Sequence, residues 1–225
     1  MRNGLLPGFE FSVVRRHITF HKWRTLLSVA AVALAVAMSI IFISIQNGFS
    51  DFLFDIVFRF LPHITVSPPE GDDYLHLYRS IVDVCWALPG VVGVSPSLAA
   101  PATLSYKDKS ENVAMMGIDP VQAERITQIT QNMLQGEITS IQGGKRVVMG
   151  QALAKKLKVR MGDTVSAKFP DSVPVNLVIS GIFSFGYKEV DEGAAYVSQE
   201  TARGFLNEGD VVTSIDIKLA DPFQA

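Results

Sequence analysis

Residues that could do chemistry are few in this sequence, and their spacing does not form a recognisable site. Two of the four histidines belong to a basic N-terminal segment and the other two are isolated, so the spacing of metal ligands is missing. The histidines are His17, His21, His63 and His76. The segment Gly143-Gly144-Lys145 lacks the earlier glycine and the following serine or threonine of a phosphate-binding loop. A two-glycine turn ahead of a strand is the interpretation that we favour.

Three carboxylates, on Glu189, Asp191 and Glu192, lie in a predicted loop between strands. A pair of carboxylates could act as acid and base in a glycosidase-like site, but a solvated loop is the simpler interpretation. The sequence has no G-x-S-x-G elbow of a hydrolase. The single cysteine, Cys85, adjoins Trp86 in an apolar helical stretch and is typical of a buried small hydrophobe. We therefore expect a protein that is not an enzyme and holds no cofactor or metal.

The strongest feature of the sequence is an apolar segment near the N-terminus. The 26 residues from Thr25 to Ser50 include no charge. As a helix they extend over about 39 Å, which exceeds the ~30 Å of a hydrocarbon core. We predict a transmembrane helix whose ends are Thr25 and Gln46. The alternative, a cleaved secretory signal, has a shorter apolar region and a small-residue cleavage site, which Ile45–Phe49 does not resemble.

Basic residues before this segment predict its orientation. The cytoplasmic basic flank consists of Arg15, Arg16, Lys22 and Arg24. The first charges after the segment are acidic, on Asp51 and Asp55. The positive-inside rule then places the N-terminus in the cytoplasm and the residues after about Ser50 outside, with the helix in the cell (plasma or inner) membrane. Residues 9–24 are expected to form an amphipathic interfacial helix, with a basic unstructured leader as the alternative.

The helical pattern continues beyond the membrane surface. Apolar residues recur at helical spacing up to Pro62, so we predict one helix from Thr25 to Leu61, about 55 Å long, that ends in a stalk. Glycine weakens helices, which makes Gly48 the expected weak point. The stalk and juxtamembrane residues are Asn47, Gly48, Phe49, Leu53, Val57 and Phe60. Small side chains spaced by four, on Ala31, Ala35 and Ser39, form a candidate helix-packing face.

Beyond Pro62, strand patterns alternate with helix patterns, which predicts an α+β domain with mixed sheets. Strands are predicted near His63–Ser67, Val91–Tyr106, Val113–Asp119, Arg146–Gly150, Thr164–Phe169, Val175–Phe185, Ala194–Ser198 and Thr213–Leu219. Helices are predicted at Tyr74–Leu88, Pro120–Leu134, Gln151–Leu157 and Gln199–Leu206. The expected domains are thus a cytoplasmic segment (1–24), a transmembrane helix (25–46), a stalk (47–61) and an extracytoplasmic domain (62–225). The net charge of −2 gives no indication of nucleic-acid binding.

Several local strings, in order, resemble one family. They are Gln46–Phe49 after the span, Leu61-Pro62, Met116–Pro120, Val147–Val165, Gly181–Phe183, Glu189–Asp191 and Asp221–Phe223. Together they cover roughly residues 15–225. The chain resembles the transmembrane subunits of lipoprotein-releasing ABC transporters of the LolC/LolE type, within the wider MacB/FtsX-like permease group.

This resemblance implies a non-catalytic permease subunit with a two-lobed MacB-like extracytoplasmic domain. Its expected partners are a cytoplasmic ABC ATPase subunit, a second permease subunit in a homodimer or heterodimer, the lipid bilayer, and a lipoprotein or amphiphilic cargo. ATP hydrolysis on the ATPase would move the stalk and the outer domain, a mode called mechanotransmission. The resemblance also implies three later membrane helices, so the sequence is expected to be a fragment, a split subunit or a short member.

Other functions stay open at this level. The connection Pro170–Pro174 is short where the carrier-recruiting subunit of the family has a long hairpin, so carrier capture by this loop is not expected. MacB-like export and FtsX-like regulation of a cell-wall hydrolase share the same design. A single-span anchored binding or scaffold module, which needs no ATPase, is the alternative from a different class.

Overall fold

The computed structural model describes residues 22–170, 172–207 and 209–221. Its helices are α1 (Lys22–Phe60), α2 (Tyr78–Ala87), α3 (Pro120–Thr127), α4 (Gln151–Leu157), α5 (Lys188–Gly193) and α6 (Gln199–Leu206). Its strands are β1 (Ile64–Val66), β2 (Val91–Tyr106), β3 (Lys109–Ile118), β4 (Met133–Gly136), β5 (Arg146–Gly150), β6 (Thr164–Lys168), β7 (Val175–Phe183), β8 (Ala194–Ser198) and β9 (Ser214–Leu219). Two 3-10 helices, Ile129–Asn132 and Ile138–Gly143, flank β4.

Helix α1 runs without interruption for 39 residues. At 1.5 Å per residue its length is about 58 Å. The sequence predicted one continuous helix from Thr25 to Leu61, and the observed helix begins three residues earlier and ends one residue earlier. The chain divides into two compact units, Met1–Asp55 and Ile56–Ala225, and the second unit contains all the strands.

A smaller lobe of the second unit is built on three antiparallel strands in the order β1-β9-β2. Valine and isoleucine side chains from β2 and β9 pack with Tyr78 and Cys85 of α2 to form its core. Cys85 is 6% exposed, which confirms that it is a buried small hydrophobe.

A larger lobe is a ring of six strands that closes on itself. The strand pairs run β2–β3, β3–β8, β8–β5, β5–β7, β7–β6 and β6–β2, and two of these pairs, β3–β8 and β5–β7, are parallel. Closing a sheet in this way leaves few free edges. Alternate residues of the strands face inward, and Leu98, Leu104 and Leu177 are fully buried there. Helix α4 adds Leu153 and Leu157 to the same core.

Strand β2 belongs to both lobes. Its first half, from Val91 to Ser97, pairs with β9, whereas Leu98–Tyr106 pairs with β3. The predicted fold class, a two-lobed α+β domain with mixed sheets after an apolar helix, is therefore confirmed.

Two predicted helices were wrong in their bounds. The helix expected at Pro120–Leu134 ends at Thr127, where Gln128 turns into the left-handed region with φ 50°, and the chain continues as a 3-10 helix and then as β4. The helix expected at Tyr74–Leu88 begins only at Tyr78, because Leu75 instead pairs with Val212 as an isolated bridge. Strand β3 also begins earlier than predicted, since the hairpin turn tightens around Lys107.

Candidate functional site

The first candidate functional element is the apolar stretch Trp23–Ser50 of α1. It is 28 residues long with a mean hydropathy of 2.8, and none of its most apolar window is buried within the chain. Its large apolar side chains are exposed; Leu34, for example, is 65% exposed and Phe42 is 69% exposed. In the part of the chain that the structure describes, this is the one helix long and apolar enough to cross a membrane. An apolar surface of this extent indicates contact with lipid or with partner helices.

The polar side chains in this stretch satisfy their hydrogen bonds locally. The hydroxyl of Ser28 donates to the carbonyl oxygen of Arg24 at 3.0 Å, and that of Ser39 donates to the carbonyl oxygen of Ala35 at 2.9 Å. Such bonds to the preceding turn remove the penalty of an unpaired hydroxyl in an apolar medium. Ser39 therefore fits the candidate packing face with Ala31 and Ala35, all three exposed on α1.

The remaining residues predicted for the membrane segment fall on α1 or outside the described chain. Thr25, Gln46, Asn47, Gly48 and Phe49 all lie within the helix. Lys22 is its first residue and Arg24 is exposed. Arg15, Arg16 and the predicted amphipathic helix before residue 22 lie outside the described residues. Leu53, Val57 and Phe60 are on the helix, but the apolar stripe that they were predicted to form stays a prediction.

The second candidate element is the attachment of residues 61–66 to β9, within the second unit. The backbone N–H of His63 donates to the carbonyl oxygen of Ile217 at 2.9 Å. The imidazole Nδ1 of His63 accepts the N–H of Leu219 at 3.1 Å. The ammonium of Lys218 donates to the carbonyl oxygen of Leu61 at 3.0 Å. Residues directly after α1 are thus held by backbone and side-chain bonds to the central strand of the small lobe.

Charged groups line one face of β9 at this attachment. Lys218 is only 9% exposed, and its burial lowers the pKa of the ammonium. Asp216 lies two residues earlier on the same face, and burial raises the pKa of its carboxyl although Thr65 Oγ1 donates to Oδ1 at 2.9 Å. Both shifts oppose ionisation, because a charged group loses solvation when it is buried. Sequence reasoning missed these residues, although they alternate with Ile215 and Ile217 in a period-2 pattern.

A cluster of polar side chains joins the two lobes. Arg203 of α6 donates through Nη2 to the hydroxyl of Tyr78 on α2 at 2.9 Å. The same Nη2 is paired with Asp210 Oδ1 at 3.0 Å, and Arg79 binds Asp210 Oδ2 at 3.0 Å. These contacts connect α2, α6 and the segment before β9. They therefore fix the two lobes relative to each other, and we assign them a structural role.

The carboxylates considered as an acid–base pair do not form one. The prediction of a solvated loop was also wrong, since Glu189, Asp191 and Glu192 lie on the short helix α5. Asp191 is 4% exposed, and its two oxygens accept the Ser184 hydroxyl at 2.6 Å and the Phe185 N–H at 2.9 Å. Glu192 is paired with Lys156 at 2.9 Å, and this hydrogen bond lowers the pKa of its carboxyl. Asp191 and Glu192 therefore serve structural roles, whereas Glu189 is exposed.

Metal ligands are not clustered in the described residues, where no group of three or more histidine, cysteine, aspartate or glutamate side chains could hold an ion. His63 is engaged with β9, as above, and His76 lies on the segment before α2. His17 and His21 lie outside the described residues.

The fold and the apolar helix define a class: a two-lobed α+β domain that follows an apolar helix of membrane-spanning length. The family model for the MacB-like periplasmic core domain matches residues 25–225. The chain therefore belongs to the family of MacB-like periplasmic core domains.

Similarity to characterised proteins agrees with this assignment. The lipoprotein-releasing system transmembrane protein LolC of Xylella fastidiosa (strain 9a5c) is 27% identical over 224 residues, which cover 95% of this chain and 53% of that protein. LolC of Neisseria meningitidis serogroup B is 23% identical, with 97% and 54% covered. The chain thus spans about half the length of the curated relatives that it matches.

Two solved structures share the fold. The extracellular domain of the noncanonic ABC-type transporter YknZ from Gram-positive bacteria aligns with a TM-score of 0.52 at 13% identity, covering 71% of this chain and 84% of that one. The periplasmic region of MacB from Actinobacillus actinomycetemcomitans aligns with a TM-score of 0.50 at 18% identity, covering 70% and 73%.

Proposed function

We propose that this chain is a permease subunit, or the N-terminal portion of one, in an ABC transporter that extracts or exports lipoproteins or similar amphiphiles. The observation that carries the proposal is the family match over residues 25–225, which includes both the apolar helix and the domain after it. The names of the LolC relatives support the lipoprotein-releasing branch. The cargo of this chain is inferred from theirs.

In this proposal residues 25–46 cross the membrane, with residues 1–24 in the cytoplasm and residues 62–225 outside. A separate cytoplasmic ABC ATPase subunit binds and hydrolyses ATP, and the permease converts that cycle into movement of the outer domain. A second permease subunit, identical or different, packs against the apolar helix, for which the face of Ala31, Ala35 and Ser39 is suited. Residues 47–61 act as the stalk, and the bonds of residues 61–66 to β9 receive its displacement.

Co-purification from native membranes tests the central claim. The tagged gene product is solubilised from the cells that encode it, and we expect an ABC ATPase subunit to co-purify with ATPase activity. The variant Lys218→Met, which loses the hydrogen bond to Leu61, should keep the ATPase bound but reduce release of lipoproteins from the membrane. A complex that contains no ATPase would refute the transporter proposal and favour an anchored binding or scaffold module.

Cysteine labelling tests the proposed orientation. Val173 is 80% exposed, whereas the native Cys85 is 6% exposed, so a membrane-impermeant maleimide should modify Val173→Cys and spare Cys85. In intact cells or spheroplasts we expect Val173→Cys to react without lysis, and the control Arg15→Cys to react only after lysis. The reverse pattern would place the domain in the cytoplasm and end the proposal.

A further inference from the structure

A groove on the larger lobe combines positive charge with apolar surface. We call it the cationic groove; its volume is about 640 Å³, within the ordinary range of ligand sites. It is formed by residues of β4, α4, β7 and the segment before β6. The residues that line it are Leu134, Gln135, Gln151, Ala154, Lys155, Lys158, Val159, Arg160, Met161 and Ile182.

The three cations of the groove form no side-chain ion pair in the described part of the chain, although the carboxylate of Asp163, outside the lining, accepts the backbone N–H of Arg160 at 2.8 Å. Lys155, Lys158 and Arg160 are exposed and take part in no ion pair among the described residues, and the lining includes no carboxylate. The neighbouring Lys156 shows the contrast, because it is paired with Glu192 at 2.9 Å and with Glu111 at 3.7 Å. A helix C-terminus favours nearby cations, which accounts for Lys155 and Lys158 but not for Arg160 beyond the helix.

Apolar side chains stand open beside these charges. Leu134 is 53% exposed and Met161 is 49% exposed, and both line the groove. Each is large enough to bury appreciable area against a partner, and neither contributes to the cores of the two lobes. A free lysine or arginine next to such side chains is suited to a ligand that is both acidic and apolar.

Strand β4, which ends the sheet, contributes Leu134 and Gln135 to the lining of the same groove. Strand β4 pairs with β7 through Met133, Gln135 and Gly136, and it ends the strand order, so its second edge is unpaired among the described residues. An unpaired edge offers backbone N–H and C=O groups to an incoming extended chain. Native proteins usually protect such an edge, and here it lies open next to three cations.

We propose that the cationic groove binds an extended acidic peptide segment of a partner protein, which adds as a strand to β4. Its carboxylates pair with Lys155, Lys158 and Arg160, while alternate apolar side chains lie against Leu134 and Met161. A peptide fits these features better than a lipid headgroup, because a headgroup uses the cations but not the strand edge. The chain as a whole has a net charge of −2, so attraction of an acidic ligand arises from this local surface. The proposal stands independently of the transport function.

Binding of designed peptides tests the proposal. The full chain is placed in nanodiscs of zwitterionic lipid, and fluorescence anisotropy follows a labelled peptide of alternating glutamate and valine. The counter-probe alternates lysine and valine. We expect the acidic peptide to bind and the basic one not to bind. The double variant Lys155→Glu/Arg160→Glu should weaken the affinity for the acidic peptide by about tenfold or more. The control Lys145→Glu/Lys168→Glu makes the same charge change on exposed lysines outside the groove, and it should change this affinity less than about twofold.

Peptide variants test the strand edge without altering the protein. Two versions of the acidic peptide carry N-methyl groups on alternate residues, one on the odd and one on the even positions. Pairing with β4 uses the N–H groups of one set only, so one version should lose binding and the other should retain it. Three results would overturn the proposal. They are equal binding of the two N-methylated peptides, equal loss of affinity in the groove variant and the control variant, and binding of the basic peptide. Loss of binding to anionic vesicles in the groove variant, without any peptide binding, would identify a lipid surface and also overturn it.

Discussion

Replacement of Asp191 distinguishes a structural carboxylate from a catalytic one. The carboxylate is buried and accepts hydrogen bonds from the Ser184 hydroxyl and the Phe185 N–H, at 2.6 and 2.9 Å. Asp191→Ala removes both acceptors, including the carboxylate oxygen that accepts the Phe185 N–H. A hydrogen bond to a charged group contributes about 1.5–3 kcal/mol, and the Ser184 hydroxyl can turn toward solvent. We therefore expect a loss of about 3 kcal/mol in the free energy of unfolding.

The matched variant is Asp191→Asn, which keeps one carbonyl oxygen for the Phe185 N–H. We expect it to lose about 1 kcal/mol, because one charge-assisted bond becomes a neutral one. For a domain of this size, 1 kcal/mol corresponds to about 2–4 °C in the unfolding midpoint. The alanine variant should then unfold about 6–12 °C below the wild type, and the asparagine variant about 2–4 °C below it.

Thermal unfolding of the full chain in detergent, followed by circular dichroism, measures these midpoints. The reasoning is refuted if Asp191→Ala unfolds within about 2 °C of the wild type, because loss of a buried acceptor of two hydrogen bonds should lower the free energy of unfolding by more than that. A stable Asp191→Ala protein that lost a measurable hydrolytic activity would instead restore the acid–base interpretation.

Three further predictions follow from individual backbone and side-chain environments. A Cβ at Gly48 meets nothing within 4 Å, so Gly48→Ala should gain ~1 kcal/mol of helix stability. Gly48→Pro should instead lose ~3 kcal/mol, with membrane insertion, measured by carbonate extraction, unchanged. Under the transport proposal, the alanine variant should keep lipoprotein release and the proline variant should lose it. At Gly136, φ is +71° and a Cβ would run into a backbone carbonyl, so Gly136→Ala should lower the unfolding midpoint far more than Gly144→Ala, which has φ +93° but open space. Because burial raises the pKa of Asp216, ionisation of this carboxyl destabilises the fold progressively as the pH rises from its unfolded-state pKa through its folded-state pKa. Asp216→Asn, which keeps an acceptor for Thr65, should therefore raise the midpoint at neutral pH, and the gain should vanish at a pH low enough to protonate the carboxyl in both states.

Local signals predicted much of the fold correctly. The bounds of β2, β5 and β8 match the predicted strands, because runs of β-branched and apolar residues between turn residues are a local property. The start of α3 was also correct: Asp119 caps it, accepting the N–H groups of Val121 and Gln122 at 2.9 and 3.2 Å.

The errors occur where distant residues decide the conformation. Gln128 has no local reason to adopt φ 50° and end α3, but the chain beyond it pairs with β7 through Met133 and Gln135. Likewise, Asp191 in an acidic hexapeptide suggests a solvated loop, and only its partners Ser184 and Phe185 explain its burial. Such contacts depend on tertiary packing, which cannot be predicted from the periodicity of the sequence.

Of the candidate functional elements, the sequence predicted the apolar helix but not the surfaces formed by distant residues. The apolar segment after a basic flank was evident from composition, and the structure adds the continuous helix that contains it. The attachment to β9 was not evident, because Lys218 lies within a strand pattern and its acceptor on Leu61 is a backbone carbonyl far away in sequence. The cationic groove was missed for the same reason, since the first two residues of β4, Met133 and Leu134, were predicted as the end of a helix.

The shared strand β2 determines how a displacement at residues 61–66 would spread through the outer domain. Residues 61–66 are bonded to β9, and β9 pairs with β2 from Val91 to Ser97. The same strand continues into the closed ring at Leu98 without a break, so the two lobes share one backbone. The contacts of Arg203 with Tyr78 and Asp210 bridge the lobes at a second place. The guanidinium of Arg125 on α3 also lies 5.4 Å from the ring centre of Trp86 on α2. Several connections resist rotation of one lobe against the other better than one, so under the transport proposal the domain should move as a single body. Arg203→Ala should therefore loosen the lobes, which distance measurements between spin labels on α2 and α4 would detect as a broadened distribution. An unchanged distribution would show that the contacts of Arg203 are not needed to fix the lobes.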